Sequence, residues 1–135
     1  MKIVLDTNVF NNKEFLNWLK ENNIESVTSA VVYMEILYRY AKRTKDIEIA
    51  KSIVRTVFEE LGIEIYEFTP EMAEIVVEKA VGRWDFRENA RDYMIGALAV
   101  KLNAPMITYN KKHFEWYDKV YTPEEFMKFS DKNAK

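Results

Sequence analysis

Hydrophobic positions along the chain alternate between short β-branched runs and longer stretches of helical spacing. Residues 2–5 (KIVL) are a compact apolar run closed by Asp6, Thr7 and Asn8. Such a run predicts a buried strand, and the Asp and Asn side chains favour a turn after it by bonding nearby backbone amides. Phe15, Trp18 and Leu19 then recur at helical spacing until Asn22 and Asn23 end the pattern. An extended piece over residues 24–27 leads to Thr28 or Ser29, either of which suits the cap of the next helix. That helix, from residue 30 to about 43, carries Val31, Met34, Tyr38 and Ala41 on one face. A further helix over 46–61 spaces Ile49, Ile53, Val57 and Leu61 four apart, with Gly62 as its stop.

Residues 63–68 (IEIYEF) alternate apolar and charged at first, which predicts a strand with one wet face. Thr69 and Pro70 open another helix through Met72, Val76 and Ala80 to Gly82. Residues 83–88 read as a charged loop, 89–103 as a strongly apolar helix and 105–108 (PMIT) as a short buried strand. Asn110 begins a polar turn, residues 119–121 form a last strand, and Thr122-Pro123-Glu124-Glu125 starts a final helix. From Ser130 onward the chain is polar and expected to fray. Strands alternating with helices predict an α/β layer fold with a mostly parallel central sheet flanked by helices. With no repeat or linker, residues 1–130 read as one domain and 131–135 as a polar tail. Ligands in such folds gather at the carboxyl ends of strands, which directs attention to Asp6, Thr108 and Asn110.

Composition narrows the chemistry. The 135 residues include no cysteine and one histidine, His113, so zinc-thiolate sites, thiol nucleophiles and multi-histidine metal sites are excluded. No apolar run approaches the ~20 residues of a membrane span, and Asp6 interrupts the N-terminal run too early for a secretory leader. A cytoplasmic protein without a membrane segment is the expectation. A formal net charge of −2 gives no global signal for nucleic acid, so a polyanionic partner would need local basic patches or bound cations.

Three acids lie among apolar or small neighbours: Asp6 after its strand, Glu35 within VVYMEILY, and Asp92 at the head of DYMIGALAV. Each has a structural reading of its own. Asp6 suits a turn, Glu35 lies four residues before Arg39 and suits an ion pair, and Asp92 follows Asn89 at capping-box spacing. Taken together, carboxylates gathered in a partly buried pocket repel one another and require a cation. Hard oxygen donors without His or Cys select Mg²⁺ or Mn²⁺, ions suited to phosphoryl chemistry.

Asp6-Thr7-Asn8 after the first strand, Ser29 to Glu35 opening the second helix, Asp92 ahead of IGALA, and Thr108-Tyr109-Asn110 with Phe114 together resemble the PIN domain. The branch most similar is the toxin subunit of VapBC toxin–antitoxin pairs. The resemblance covers nearly the whole chain and implies a three-layer α/β sandwich and a Mg²⁺- or Mn²⁺-dependent ribonuclease that leaves a 5′-phosphate and a 3′-hydroxyl. By the same resemblance Asp6, Glu35 and Asp92 match the acidic metal-binding positions. Asn8 matches a residue that orients the first acid, and Thr108 lies beside the site. Asn110 stands where many members carry a fourth acid, and it offers only a neutral oxygen to a metal.

Basic residues cluster near these positions: Arg39, Lys42, Arg43 and Lys45; Arg83, Arg87 and Arg91; and Lys111 with Lys112. Arg87, Arg91 and Lys111 are candidates for the RNA backbone, while solvated faces and salt bridges account for such clusters equally well. Trp84 and Phe86 suit base stacking, or core or dimer packing. His113 reads as a surface residue, and Asp85 as an acid supporting the site from behind at most. Met34, Leu37, Tyr38, Ile47 and Phe58 exceed the apolar content one thin domain needs on two helices. The resemblance implies that these helices grip an antitoxin and that other helices form a homodimer. The competing readings are a PIN nuclease of RNA maturation or decay without an antitoxin, a non-catalytic RNA-binding PIN domain, and a receiver-type signalling domain. The last needs an aspartate ending a central strand, and residues 63–68 supply none.

Overall fold

The computed structural model describes residues 1–133. The first apolar run forms β1 (Lys2–Leu5), whose Ile3, Val4 and Leu5 are fully buried. It is the middle strand of a five-stranded sheet with β2 (Glu25–Ser29), β3 (Glu64–Tyr66), β4 (Met106–Ile107) and β5 (Val120–Tyr121). Their order is β3-β2-β1-β4-β5 and every pairing is parallel. A central parallel strand is covered on both faces, which is why Ile3, Val4 and Leu5 are apolar without alternation. The expected α/β layer fold is present, with helices flanking the sheet.

Among the described residues the α-helices are α1 (Lys13–Glu21), α2 (Ala30–Thr44), α3 (Ile47–Leu61), α4 (Pro70–Ala80), α5 (Phe86–Leu102) and α6 (Pro123–Asn133). Ser29 caps α2 through its Oγ, which accepts from the Val31 amide at 3.0 Å, while Thr28 belongs to β2 and donates to the Leu5 carbonyl at 2.7 Å. Asp46 accepts from the Glu48 and Ile49 amides at the start of α3, and Gly62 ends it at φ 66°. A left-handed position there is open to glycine at no steric cost. The helix opening at Pro70 buries Met72, Val76 and Ala80, the three positions its spacing selects. None of the helices among the described residues is long and apolar enough to cross a membrane.

Several expected boundaries and faces differ. Helix α5 begins at Phe86, three residues before Asn89, because residues 86–88 make a first turn that bends at Asn89 (φ −123°, ψ 19°). The Asn89 side chain donates to Asp85 at 3.0 Å, so it does not cap Asp92. On α2 the core takes Val32 and Ile36, leaving Met34 (61%) and Tyr38 (69%) exposed. On α3 the buried row is Ala50, Val54 and Phe58, one step round from the row that includes the half-exposed Ile49. The final helix runs through Asn133, past the point where fraying was expected, and residues 134–135 lie outside the described part.

Candidate metal and nuclease site

The carboxyl ends of β1 and β4 meet beside α2 and α5. Asp6, the residue after β1, is fully buried, and its own amide bonds the Ile107 carbonyl at 3.0 Å, which fixes the backbone from which its side chain projects. Its Oδ1 accepts from the Thr7 amide at 2.7 Å, capping a short 3₁₀ turn over Thr7–Asn11. Its Oδ2 accepts from Thr108 Oγ1 at 2.8 Å. Asp6 thus takes the turn role through Oδ1 while its Oδ2 is held by Thr108.

Thr108 is fully buried after β4, and its hydroxyl also accepts from the Asn110 amide at 3.0 Å. Asn8 accepts from the Tyr109 amide at 3.1 Å and donates to Thr108 at 3.4 Å. It thus ties the turn after β1 to the turn after β4. Glu35 projects from α2 to Thr7, whose Oγ1 donates to Glu35 Oε1 at 2.6 Å. Its partner is not Arg39, which reaches Asn11 at 3.4 Å. Asp92 projects from α5 with its side chain 8% exposed.

One guanidinium joins the three acids. Arg91 Nε donates to Glu35 Oε2, one terminal nitrogen donates to Asp92 Oδ1 at 2.6 Å, and the other donates to Asp6 Oδ1 at 3.0 Å and to Thr7 Oγ1 at 3.0 Å. Burial works against the Arg91 charge, but the Glu35 hydrogen bond and the charges of Asp6, Glu35 and Asp92 outweigh it and push its pKa higher still. His113 Nδ1 lies 3.1 Å from Asp92 Oδ2 and is half exposed. Burial raises the Asp92 carboxyl, opposed by Arg91 and His113 and reinforced by Asp6. Glu35, Arg91, Asp92 and His113 open onto a groove of about 840 Å³ that Met34, Tyr38, Arg39, Lys42 and Asn110 also line, with Asp6 buried beneath it.

A family model for the PIN domain matches residues 3–120. The chain belongs to the PIN domain family. In fold this PIN domain is similar to VapBC2 from Rickettsia felis bound to a DNA fragment from its promoter, with TM-score 0.67 and 22% identity over 90% of this chain and 98% of that one. It is also similar to VapBC-1 from nontypeable Haemophilus influenzae (TM-score 0.67, 18% identity, 92% and 99% covered). FitAcB from Neisseria gonorrhoeae gives TM-score 0.66 at 21% identity, with 90% and 98% covered. No curated protein sequence matches the chain.

The PIN domain brings Asp6, Glu35 and Asp92 to one place; Thr108 bonds Asp6 directly, whereas Asn8 bonds Thr108 and the Tyr109 amide rather than the first acid. Asn110 lines the groove without a side-chain capping bond. Of the basic candidates, Arg91 lies within the acidic cluster itself, Lys111 is paired with Glu125 at 3.0 Å, and Arg87 is exposed on the first turn of α5. Sequence reasoning passed over Thr7 and His113 as parts of the site. Thr7 stands between two singled-out residues, and that adjacency is the signal that marks it. His113 is carried in by the buried Phe114 beside it, which no spacing rule exposes.

As they stand, no three His, Cys, Asp or Glu side chains among the described residues are placed to hold one metal ion. The donor set nevertheless fits a hard divalent cation in chemistry. Three carboxylates from three elements already share a single cationic group, and the group between them is a side chain on a flexible stem.

Proposed function

We propose that this chain is a Mg²⁺- or Mn²⁺-dependent endoribonuclease and the toxin of a toxin–antitoxin pair, with residues 1–130 acting as one nuclease unit. The observation that carries the reading is the convergence of Asp6, Glu35 and Asp92 on one cation at the strand ends of a PIN domain. Asp6, Glu35 and Asp92 would hold the divalent ion, with Asn110 as a neutral oxygen donor at the rim. When bound, such an ion supplies Lewis acidity at a phosphoryl oxygen and makes an adjacent water more acidic.

The remaining chemistry belongs to the chain. Thr108 and the Thr7 amide lock the Asp6 carboxylate so that its orientation costs nothing to establish when substrate arrives. Thr7 holds Glu35 on the opposite wall, where a carboxylate can take a proton from an attacking water. His113 steadies Asp92, and Arg39 and Lys42 on the groove wall offer cations to the RNA backbone.

The partner reading rests on surface chemistry. Exposed Met34 and Tyr38 line the same groove as the acids, so an amphipathic segment seated on α2 would cover the site. The similar solved structures include a toxin–antitoxin complex from Klebsiella pneumoniae at TM-score 0.62. Arrangement as a homodimer completes the proposal.

The test is cleavage of a mixed RNA pool by purified protein with Mg²⁺, with Mn²⁺ and with chelator. Cleavage should require the ion, and Asp6→Asn should lower it by roughly 100-fold or more, beyond the loss expected for an outer partner of a metal ligand. Full metal-dependent activity in Asp6→Asn would sink the assignment.

A further inference from the structure

Carboxylates as enclosed as Asp6 and Asp92 do not remain side by side without compensation, because removing each from water is costly and their charges repel. The chain supplies the compensation itself. Arg91 precedes Asp92 on α5, and its guanidinium turns back so that each of its three nitrogens meets a different acid.

A guanidinium is a rigid planar fork, so the oxygens it gathers are held at the separations of its nitrogens. A small divalent ion instead draws oxygens to about 2.0–2.1 Å from a single point. The two cations therefore require different positions of the same three side chains, and they cannot occupy the centre together. This explains why a cluster with the right donors contains no group of three placed to hold a metal.

We infer that Arg91 is an internal competitor of the divalent ion: it closes the metal-free site and must withdraw into the groove before Asp6, Glu35 and Asp92 can bind metal. The inference rests on the metal-dependent reading above and adds a regulator to it. Withdrawal has a route, since the Arg91 side chain is 37% exposed and lines the open groove beside Met34, Tyr38 and Asn110. The apparent metal affinity is then the intrinsic affinity reduced by the fraction of molecules in which Arg91 is out. Removing Arg91 lifts that reduction, and it also leaves the metal-free carboxylates uncompensated.

The experiment is calorimetric titration of the full chain with Mn²⁺, comparing wild type, Arg91→Gln, Arg91→Ala and Asp6→Asn, with melting curves in chelator and in saturating Mn²⁺. If Arg91 is out in about a tenth of molecules or fewer, both Arg91 variants bind Mn²⁺ about tenfold tighter or better than wild type. They also melt below wild type in chelator and recover in Mn²⁺. Equal or weaker binding by folded Arg91 variants, with Asp6→Asn unable to bind, overturns the competition and leaves the metal site standing. Absence of binding in wild type and in both Arg91 variants overturns the metal reading along with it. A measurement on the wild type alone covers the case of variants that do not fold. Addition of Mg²⁺ should move the Arg91 Nε–H resonance and hasten its exchange with water, and an unmoved resonance at saturating Mg²⁺ overturns the inference.

Discussion

Asp92 shows how a single side chain can be set against the stability of the fold that carries it. Its carboxyl is raised above the ordinary range chiefly by burial, with Arg91 and His113 pulling it down and Asp6 pushing it up. The folded chain therefore keeps that proton to higher pH than the unfolded chain. Its contribution to stability is complete below the ordinary carboxyl pKa and is lost as pH rises through the raised value. Asp92→Asn removes the titration while keeping an oxygen for Arg91. In chelator, the stability of wild type relative to Asp92→Asn should fall as pH rises above about 4, the ordinary aspartate value. Denaturant midpoints of the two proteins at successively higher pH decide it, and a wild type that gains on the variant refutes the burial argument. The same substitution is expected to remove cleavage, so stability and activity move in opposite directions at this position.

At the scale of elements, α5 is the piece against which the site is built. It buries Tyr93, Ile95, Gly96, Ala97, Leu98 and Ala99 and so is apolar nearly all round, as its sequence predicts. Gly96 is there because an aromatic ring occupies the space of its missing side chain. A Cβ would lie 2.7 Å from Trp116 Cζ2 and 3.2 Å from Phe114 Cδ1, and Trp116 is already stacked on Tyr93 at 5.1 Å between ring centres. Gly96→Ala should therefore destabilise the chain by about 1–3 kcal/mol, since overpacking forces rings or backbone to shift. Denaturant unfolding measures the loss, and the near-ultraviolet dichroism of Trp116 should change with it. An unaltered midpoint and spectrum would show that the ring yields freely.

Elements were legible in the sequence to the extent that one apolar pattern dominated each. In helix α4 the row that follows from the Thr69-Pro70 start, Met72, Val76 and Ala80, is the one buried, while the apolar pair Val77 and Val81 is left exposed. Helix α2 has two apolar rows, Val31–Met34–Tyr38 and Val32–Ile36, and periodicity alone does not say which faces the sheet. The three acids stood out because charge interrupts apolar surroundings at Asp6, Glu35 and Asp92. Arg91 stood out only as a candidate for the RNA backbone, because an arginine beside an aspartate does not reveal its partners until tertiary structure brings Asp6 and Glu35 to it.

For the whole molecule, apolar surface outside the groove argues for self-association. Val77 (57%), Val81 (59%), Trp84 (81%) and Phe86 (48%) are exposed within ten residues, and none of them lines the groove that holds the acids. Val77 and Val81 are one helical turn apart, so they share a face. Trp84 is held at φ 57°, a conformation that costs an L-residue roughly 1–2 kcal/mol. A strained, exposed tryptophan beside two exposed valines is a poor arrangement for an isolated chain and a useful one for an interface, where Trp anchors are enriched. A second copy presenting the same patch would bury all four residues twice over in a two-fold contact. Sedimentation equilibrium at tens of micromolar should show a dimer for the wild type and a monomer for the double variant Val81→Glu, Trp84→Glu. Met34→Glu, on the groove, should remain dimeric. A monomeric wild type, or a double variant that still dimerises, would remove this surface from consideration as the subunit contact while leaving the acidic site untouched.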